Sequence, residues 1–194
     1  MSKIIPLFPL KTVLFPQGFL PLRVFEPRYL DMVSNCMKTE QGIGVVLIRE
    51  GSEVGDAAST YDVGTLTEIS YWHKRTDGLL GVTLNGLQRF RILSHDVQPN
   101  QLVLAEIELL PASGAYPLNP RFEPMAAMLE KIITQLDPPF STMDTHYDDG
   151  DWVSARLVEL LPLPLERKQQ LFMLEDVDAR LQELESILSE KGLW

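Results

Sequence analysis

Cysteine is almost missing from this chain: Cys36 stands alone. No intramolecular disulfide can form, which excludes the small secreted design that is stapled together by such bonds. Histidine is scarce too, and His73, His95 and His146 are spread over some seventy positions without the paired spacing of zinc ligands. No stretch approaches the roughly 20 apolar residues of a membrane-spanning helix. Lys11 and the prolines around it interrupt any apolar core of a signal peptide, so a cytoplasmic protein without membrane contact is expected. There is no Gly-Lys dipeptide, and without one no phosphate-cradling nucleotide loop can be built. A net positive charge is lacking as well. The formal charge is -10: residues 1–112 hold ten basic and twelve acidic side chains, and residues 113–194 hold seven and fifteen. Neither half offers the positive field that releases counterions from a nucleic acid, so a nucleic-acid partner is not expected.

What the chain does have is a 45% hydrophobic content, enough to bury a core in one domain or two small ones. Residues 6–30, PLFPLKTVLFPQGFLPLRVFEPRYL, organise the rest. Leu20, Leu22 and Val24 alternate with Arg23 and Phe25, the period-two pattern of a half-buried strand. Pro6, Pro9, Pro16, Pro21 and Pro27 punctuate the stretch, which predicts strands that are short, bulged or at an edge. Pro27 suits the first helical position, and Tyr29, Val33 and Cys36, with Leu30 and Met37 beside them, make an apolar stripe. A strand should therefore run straight into a short helix.

Further along, VVLIRE reads as a buried strand, and residues 51–62 as a polar, glycine-bearing loop. Val63, Ile69 and Tyr71 share one face of the next strand, with Glu68, Ser70 and Trp72 on the wetter one. Asp77-Gly78 predicts a hairpin tip, Asn85-Gly86 a second turn, and Pro99-Asn100 a third. In the last strand Val103, Ala105, Ile107 and Leu109 should face inward. Several short strands joined by tight turns, with one early helix, predict a small closed or nearly closed barrel over residues 1–112. PASGAYPLNP marks a linker, after which the period becomes helical. Phe122, Met125, Leu129, Ile132, Ile133 and Leu136 make one amphipathic helix, Asp151 is placed to cap the next, and Asp176 to cap the last. The fold class is thus α+β, with a helical bundle over residues 113–194.

Three passages together carry a family resemblance. FPLKTVLFPQGFLPLRVFEPRYLDMV, DVGTLTEI at 62–69 and LNGLQRFRI at 84–92 resemble the Lon-protease amino-terminal domain, the substrate-recognition domain that also occurs as free-standing bacterial proteins. The helical tail, LVELLPLPLERKQQLFMLEDVDARLQELESIL, is similar to that family's carboxy-terminal bundle. The resemblance implies a PUA-like β-barrel followed by helices, and a module that binds unfolded or partly unfolded polypeptides. It carries recognition and withholds catalysis, because the ATPase and peptidase parts would lie beyond these motifs. Any role in proteolysis then needs a separate protease as partner, and no cofactor is implied.

Trp72 is the leading site candidate, since an aromatic on the polar face of a strand beside a hairpin can anchor a peptide; the bland alternative is that it covers the junction of barrel and helices. Tyr71, Phe25 and Arg23 complete the expected peptide-binding set. Docking is expected on the barrel surface or between barrel and bundle, by apolar anchoring and strand addition. Arg23, Glu26 and Arg28 also read as charges pairing around the strand–helix junction. Cys36 lies on an apolar stripe and reads as core rather than as a nucleophile. Asp144, Asp148, Asp149 and Asp151 resemble a calcium loop only loosely, because Gly150 is off position and Ala155 replaces the closing carboxylate. The alternative function is an RNA-binding PUA-like module, whose patch only Lys74, Arg75, Arg89 and Arg91 could seed. The purified chain is expected to turn over no ATP and to cleave no peptide; measurable activity in a coupled ATPase assay or a casein-cleavage assay rejects the non-catalytic reading.

Overall fold

The computed structural model describes residues 2–190 and 192. Two compact units divide the chain, Met1–Ala112 and Ser113–Trp194. The first contains β1 (Lys3–Leu10), β2 (Phe19–Val24), α1 (Pro27–Thr39), β3 (Ile43–Glu50), β4 (Ser59–Thr60), β5 (Val63–Lys74), β6 (Leu80–Val97) and β7 (Val103–Leu109). Pairing runs β1-β7-β6-β5-β3, and β3 pairs β1 again, so five strands close into a ring. β2 joins the outside of this circuit on β6, and the two-residue β4 joins it on β3. The sheet is mostly antiparallel, with β1 and β3 as the parallel pair.

β1 makes the closure by changing partners. Lys3–Pro6 pair with β7, and Leu7–Leu10 pair with β3. The prolines that predict short or edge strands therefore sit in an eight-residue strand held on both sides, with Pro6 the last residue of one ladder. Alternation along β1 and β3 feeds two cores. Ile5, Leu7, Val46, Leu66, Phe90 and Ile107, with Val103 and Ala105, form one that draws on all five ring strands. Phe8, Leu10, Val24, Val45, Val82 and Leu84 form the other, over which α1 lays Tyr29, Met32, Val33 and Cys36. Both faces of these strands are buried, which is why they read as continuous apolar runs.

Three local expectations give way. Asn85-Gly86 is no turn, because β6 runs unbroken through it for 18 residues. Gly86 is instead where the 15–18 turn approaches the sheet: Gly86 N donates to Gly18 O, Gln17 N donates to Gly86 O, and a Cβ at Gly86 would stand 2.2 Å from Phe15 O. Leu109, at the end of its strand, is exposed rather than inward. The register of β5 also shifts between Ile69 and Tyr71, leaving Ser70 as an extra residue. This bulge reverses the alternation. Trp72 pairs with the buried Val82, and Tyr71 with Thr83, the opposite of the predicted facing.

The second unit holds a 3-10 turn at Pro120–Phe122, α2 (Glu123–Ile133), a second 3-10 turn at Phe140–Thr142, α3 (Gly150–Leu160), α4 (Leu165–Met173) and α5 (Val177–Glu190). α3 is its centre, with Gly150 and every residue from Trp152 through Val158 buried. Asp149, not Asp151, caps it, accepting from the backbone N–H groups of Asp151 at 2.9 Å and Trp152 at 3.1 Å. Asp151 is engaged elsewhere, in an ion pair with the buried Arg180, which also donates to Ser154 Oγ at 2.8 Å. Asp176 caps α5 as expected, through the N–H of Asp178 at 2.9 Å.

Phe90, fully buried among residues of all five ring strands, is the side chain whose loss should be felt most. Phe90→Ala is expected to cost about 3–5 kcal/mol in chemical denaturation. A loss under about 1 kcal/mol would mean that the ring interior is not packed as described.

Candidate functional site

Two grooves flank the part of the first unit where β2, β6 and β5 run side by side. The first, of about 360 Å³, follows β2: Pro21, Leu22, Arg23, Val24 and Phe25 form one wall, with Phe8, Leu10 and Tyr29 beneath. Glu53 and Val54, from the 51–58 loop, line it as well, as does Leu79. Phe25 and Val54 are 53% and 52% exposed although both are apolar. Exposed apolar groups that cluster in a concave place mark contact surfaces more often than scattered ones do.

Trp72 belongs to the second groove, of about 640 Å³, with Met37 of α1, Glu40 just after that helix, Leu66 and Ile69 of β5, Leu87 of β6, and Lys3. The Ser70 bulge directs it there, in the same row as Val82 and Leu22 across three neighbouring strands. Trp72 keeps 55% of its surface exposed, and Met37 and Leu87 are exposed with it. Met37 therefore leaves the α1 stripe and serves the groove.

Tyr71 lines neither groove. On the outer face of the sheet it stacks on His73, ring centroids 5.3 Å apart, and the His73 ring covers Gly81, where a Cβ would meet it at 2.4 Å. Arg23 pairs with the same Gly81 from the other side, so Arg23, Gly81 and His73 make one row. The four expected site residues thus separate into Phe25 and Arg23 at one groove, Trp72 at the other, and Tyr71 on the outer face. Sequence reasoning missed Val54, Leu79 and Leu87. Val54 did leave a signal, as the single large apolar residue in the polar stretch GSEVGDAA.

Charge around the site is locally satisfied. Arg28 is buried and pairs with Glu26 at 3.1 Å, as read for the junction. Arg75 pairs with Asp77 at 3.0 Å. The Leu79 backbone N–H, then the Arg75 guanidinium, hold the Asp77 carboxyl below the usual carboxylate range, and Arg23 adds to this field. Lys74 and Arg75 lie at the hairpin tip beside Leu80, whereas Arg89 and Arg91 lie nine or more residues along β6. At ~3.3 Å per residue this separates the two pairs by roughly 30 Å, so they do not form one basic patch. Among the described residues no group of three or more His, Cys, Asp or Glu side chains is arranged to hold a metal ion. No described helix is long and apolar enough to cross a membrane.

The family described as the ATP-dependent protease La (LON) substrate-binding domain matches residues 4–190. The chain is similar to a Lon protease of Anaeromyxobacter dehalogenans, 27% identical over 197 residues, covering 97% of this chain and 23% of that one. It is also similar to Lon protease 2 of Myxococcus xanthus, 26% identical, covering 98% of this chain and 24% of the relative. It spans about a quarter of the length of these curated relatives. Among solved structures, the crystal structure of a Lon N-terminal domain protein from Xanthomonas campestris is 33% identical, with a TM-score of 0.78 over 95% of this chain and 98% of that one. The N-terminal domain of the Mycobacterium avium complex Lon protease shares the fold at 16% identity, with a TM-score of 0.62 over 96% of this chain and 98% of that one.

Cys36 borders the Trp72 groove but is itself buried, and burial pushes its thiol up to about 11 from the usual 9.0. The folded state holds this proton more tightly than the unfolded state, so the contribution to stability is complete below pH 9 and is lost as pH rises toward 11. Alkylation of the native protein at pH 8 should accordingly be slow, and should accelerate sharply in denaturant. Equal rates in the two states would show the thiol to be accessible.

Proposed function

Because the chain belongs to the family of the ATP-dependent protease La (LON) substrate-binding domain, we propose that it is a non-catalytic recognition module that captures unfolded or partly unfolded polypeptides. The observation that carries this reading is that the exposed Phe25 and Val54 line one groove together, and the exposed Trp72, Met37 and Leu87 another. Unfolded chains differ from folded ones in presenting apolar side chains to solvent, and half-exposed aromatic anchors in shallow grooves match that difference. The groove along β2 suits an extended segment: the last four residues of the strand and Phe25 after them line it, so alternate side chains of a chain laid beside it would point inward.

In this reading the module acts in protein quality control, as an adaptor in the cytoplasm. A separate ATP-dependent protease supplies unfolding and cleavage, for which these residues offer no chemistry. Arg23, in the groove wall, and Tyr71, on the outer face, meet the flanks of the bound segment rather than its apolar anchors. The RNA alternative has less support, since its four basic residues stand in two separated pairs and a polynucleotide site needs several phosphate contacts together.

Fluorescence anisotropy with labelled α-lactalbumin, reduced and carboxymethylated so that it has no fold, tests the reading against the native, disulfide-bonded form. Binding of the unfolded form alone is expected. Phe25→Ser combined with Val54→Ser should weaken it by about tenfold or more, and Trp72→Ala should report the share of the second groove. Binding that ignores both changes, or binding of RNA that falls steeply with salt while the unfolded protein does not bind, sinks the polypeptide reading.

A further inference from the structure

The 51–58 loop, a wall of the Phe25 groove, has little core of its own. Val54 and most of its neighbours are exposed, and Gly51 and Gly55 take φ of 110° and 94°, which makes them ready pivots. Three hydrogen bonds hold it. Lys11 N donates to Glu53 Oε1 at 2.6 Å, Gly55 N to Glu26 Oε2 at 3.5 Å, and Ala57 N to Gln101 Oε1 at 3.2 Å.

Two of these acceptors belong to residues fixed by the same guanidinium. Arg28 Nη2 pairs with Glu26 Oε2 at 3.1 Å, and Arg28 Nη1 donates to the backbone oxygen of Gln101 at 2.9 Å. The Arg28 side chain is 5% exposed, rests 4.6 Å from the centre of the Tyr29 ring, and does not line the groove. Both acceptor residues pay local costs for this arrangement. Glu26 occupies the N-cap position of α1, yet its carboxylate makes no cap hydrogen bond and turns to Arg28 and Gly55. Gln101 holds a φ of 68°, where glycine would be unstrained, and its side-chain amide is what reaches Ala57.

We propose that Arg28 is a positioning residue for polypeptide binding: acting through Glu26 and Gln101, it fixes the 51–58 loop as the wall that presses a bound apolar segment against Phe25. This rests on the groove reading above and deepens it. A wall fixed in advance spares the ligand the entropy of ordering it, so loosening the wall lowers affinity without touching the anchors. Arginine suits the role because its planar fork serves a carboxylate and a carbonyl in two directions at once, which a lysine ammonium on its flexible stem does less rigidly.

The test uses the full chain and the same reduced, carboxymethylated α-lactalbumin, with amide hydrogen exchange and melting temperature measured in parallel. Gln101→Gly removes the amide contact to Ala57 while suiting the positive φ. It should keep the melting temperature, quicken exchange at Ala57, and lower affinity about fivefold, the worth of one hydrogen bond. Arg28→Lys should quicken exchange at both Gly55 and Ala57 and lower affinity further. Should that variant fail to fold, Gln101→Gly, which cuts one of the two links from Arg28 to the loop, carries the test. Faster exchange in the loop with affinity held within about twofold of the parent overturns the positioning role alone, provided that Phe25→Ser still weakens binding. Parent protein that binds no unfolded chain, or binds it regardless of Phe25, overturns the groove reading and this inference with it.

Discussion

The architecture of the first unit depends on how β1 divides its hydrogen bonds. Its first half pairs with β7 and its second with β3, and this exchange of partners closes the five-strand ring. Closure removes the free edges that an open sheet would present. It also fixes the register, because successive residues such as Leu7 and Phe8 enter different cores. A slip by one residue would send each to the wrong core, so the apolar alternation and the hydrogen-bond closure enforce each other.

Closure also decides where function can reside. Strands within the ring have both neighbours and, for much of their length, buried faces. β2 and the short β4 stand outside it with one named partner each. The groove with Phe25 and Val54 follows β2, and the groove with Trp72 opens where β5 has bulged and β6 carries the extra Leu87. The first lies along a strand with one named partner, the second where the regular ladder is interrupted. These are places where a closed sheet can leave large apolar groups in water without giving up core packing.

Much of this was legible in the sequence. The strand–helix junction at Pro27, the hairpin tips at Asp77-Gly78 and Pro99-Asn100, and the inward set Val103, Ala105 and Ile107 all follow from local rules that the structure keeps. The failures share a cause, since each turns on a contact remote in sequence. Asn85-Gly86 has the composition of a turn, but its glycine is required by the backbone of Phe15, seventy residues earlier, and no local rule registers that. The facing of Tyr71 and Trp72 was inverted because one extra residue at Ser70 cannot be seen without the partner strand. Asp149 and Asp151 are equally good caps by type. Arg180, far along the chain, engages Asp151, while Asp149 also accepts from Tyr116 N across the linker. Phe25 and Trp72 could be picked out because their aromatic character breaks the local pattern; Val54 needed the fold to bring it into the groove with Phe25.

Strand addition, expected from the sequence as one way of holding a ligand, meets an obstacle at the place where the open margin occurs. β2 pairs with β6 through its whole length, and Pro21 stands opposite Thr83 in the middle. A proline is tolerated on an edge strand where its missing N–H would have faced outward. The outward donors of β2 are then those of Phe19 and Arg23, with a gap between them at Pro21. A chain laid along this edge finds the Pro21 carbonyl but no central donor, so a continuous ladder cannot form. Backbone pairing is indifferent to sequence and would accept another copy of the same edge as readily as a client. With that route blunted, discrimination under the proposed function would pass to the side chains of Leu22, Phe25 and Val54, which line the groove and would reward apolar surface while ignoring well-folded proteins that have buried theirs. In that proposal Pro21, which looks like a flaw in a strand, would make the groove selective.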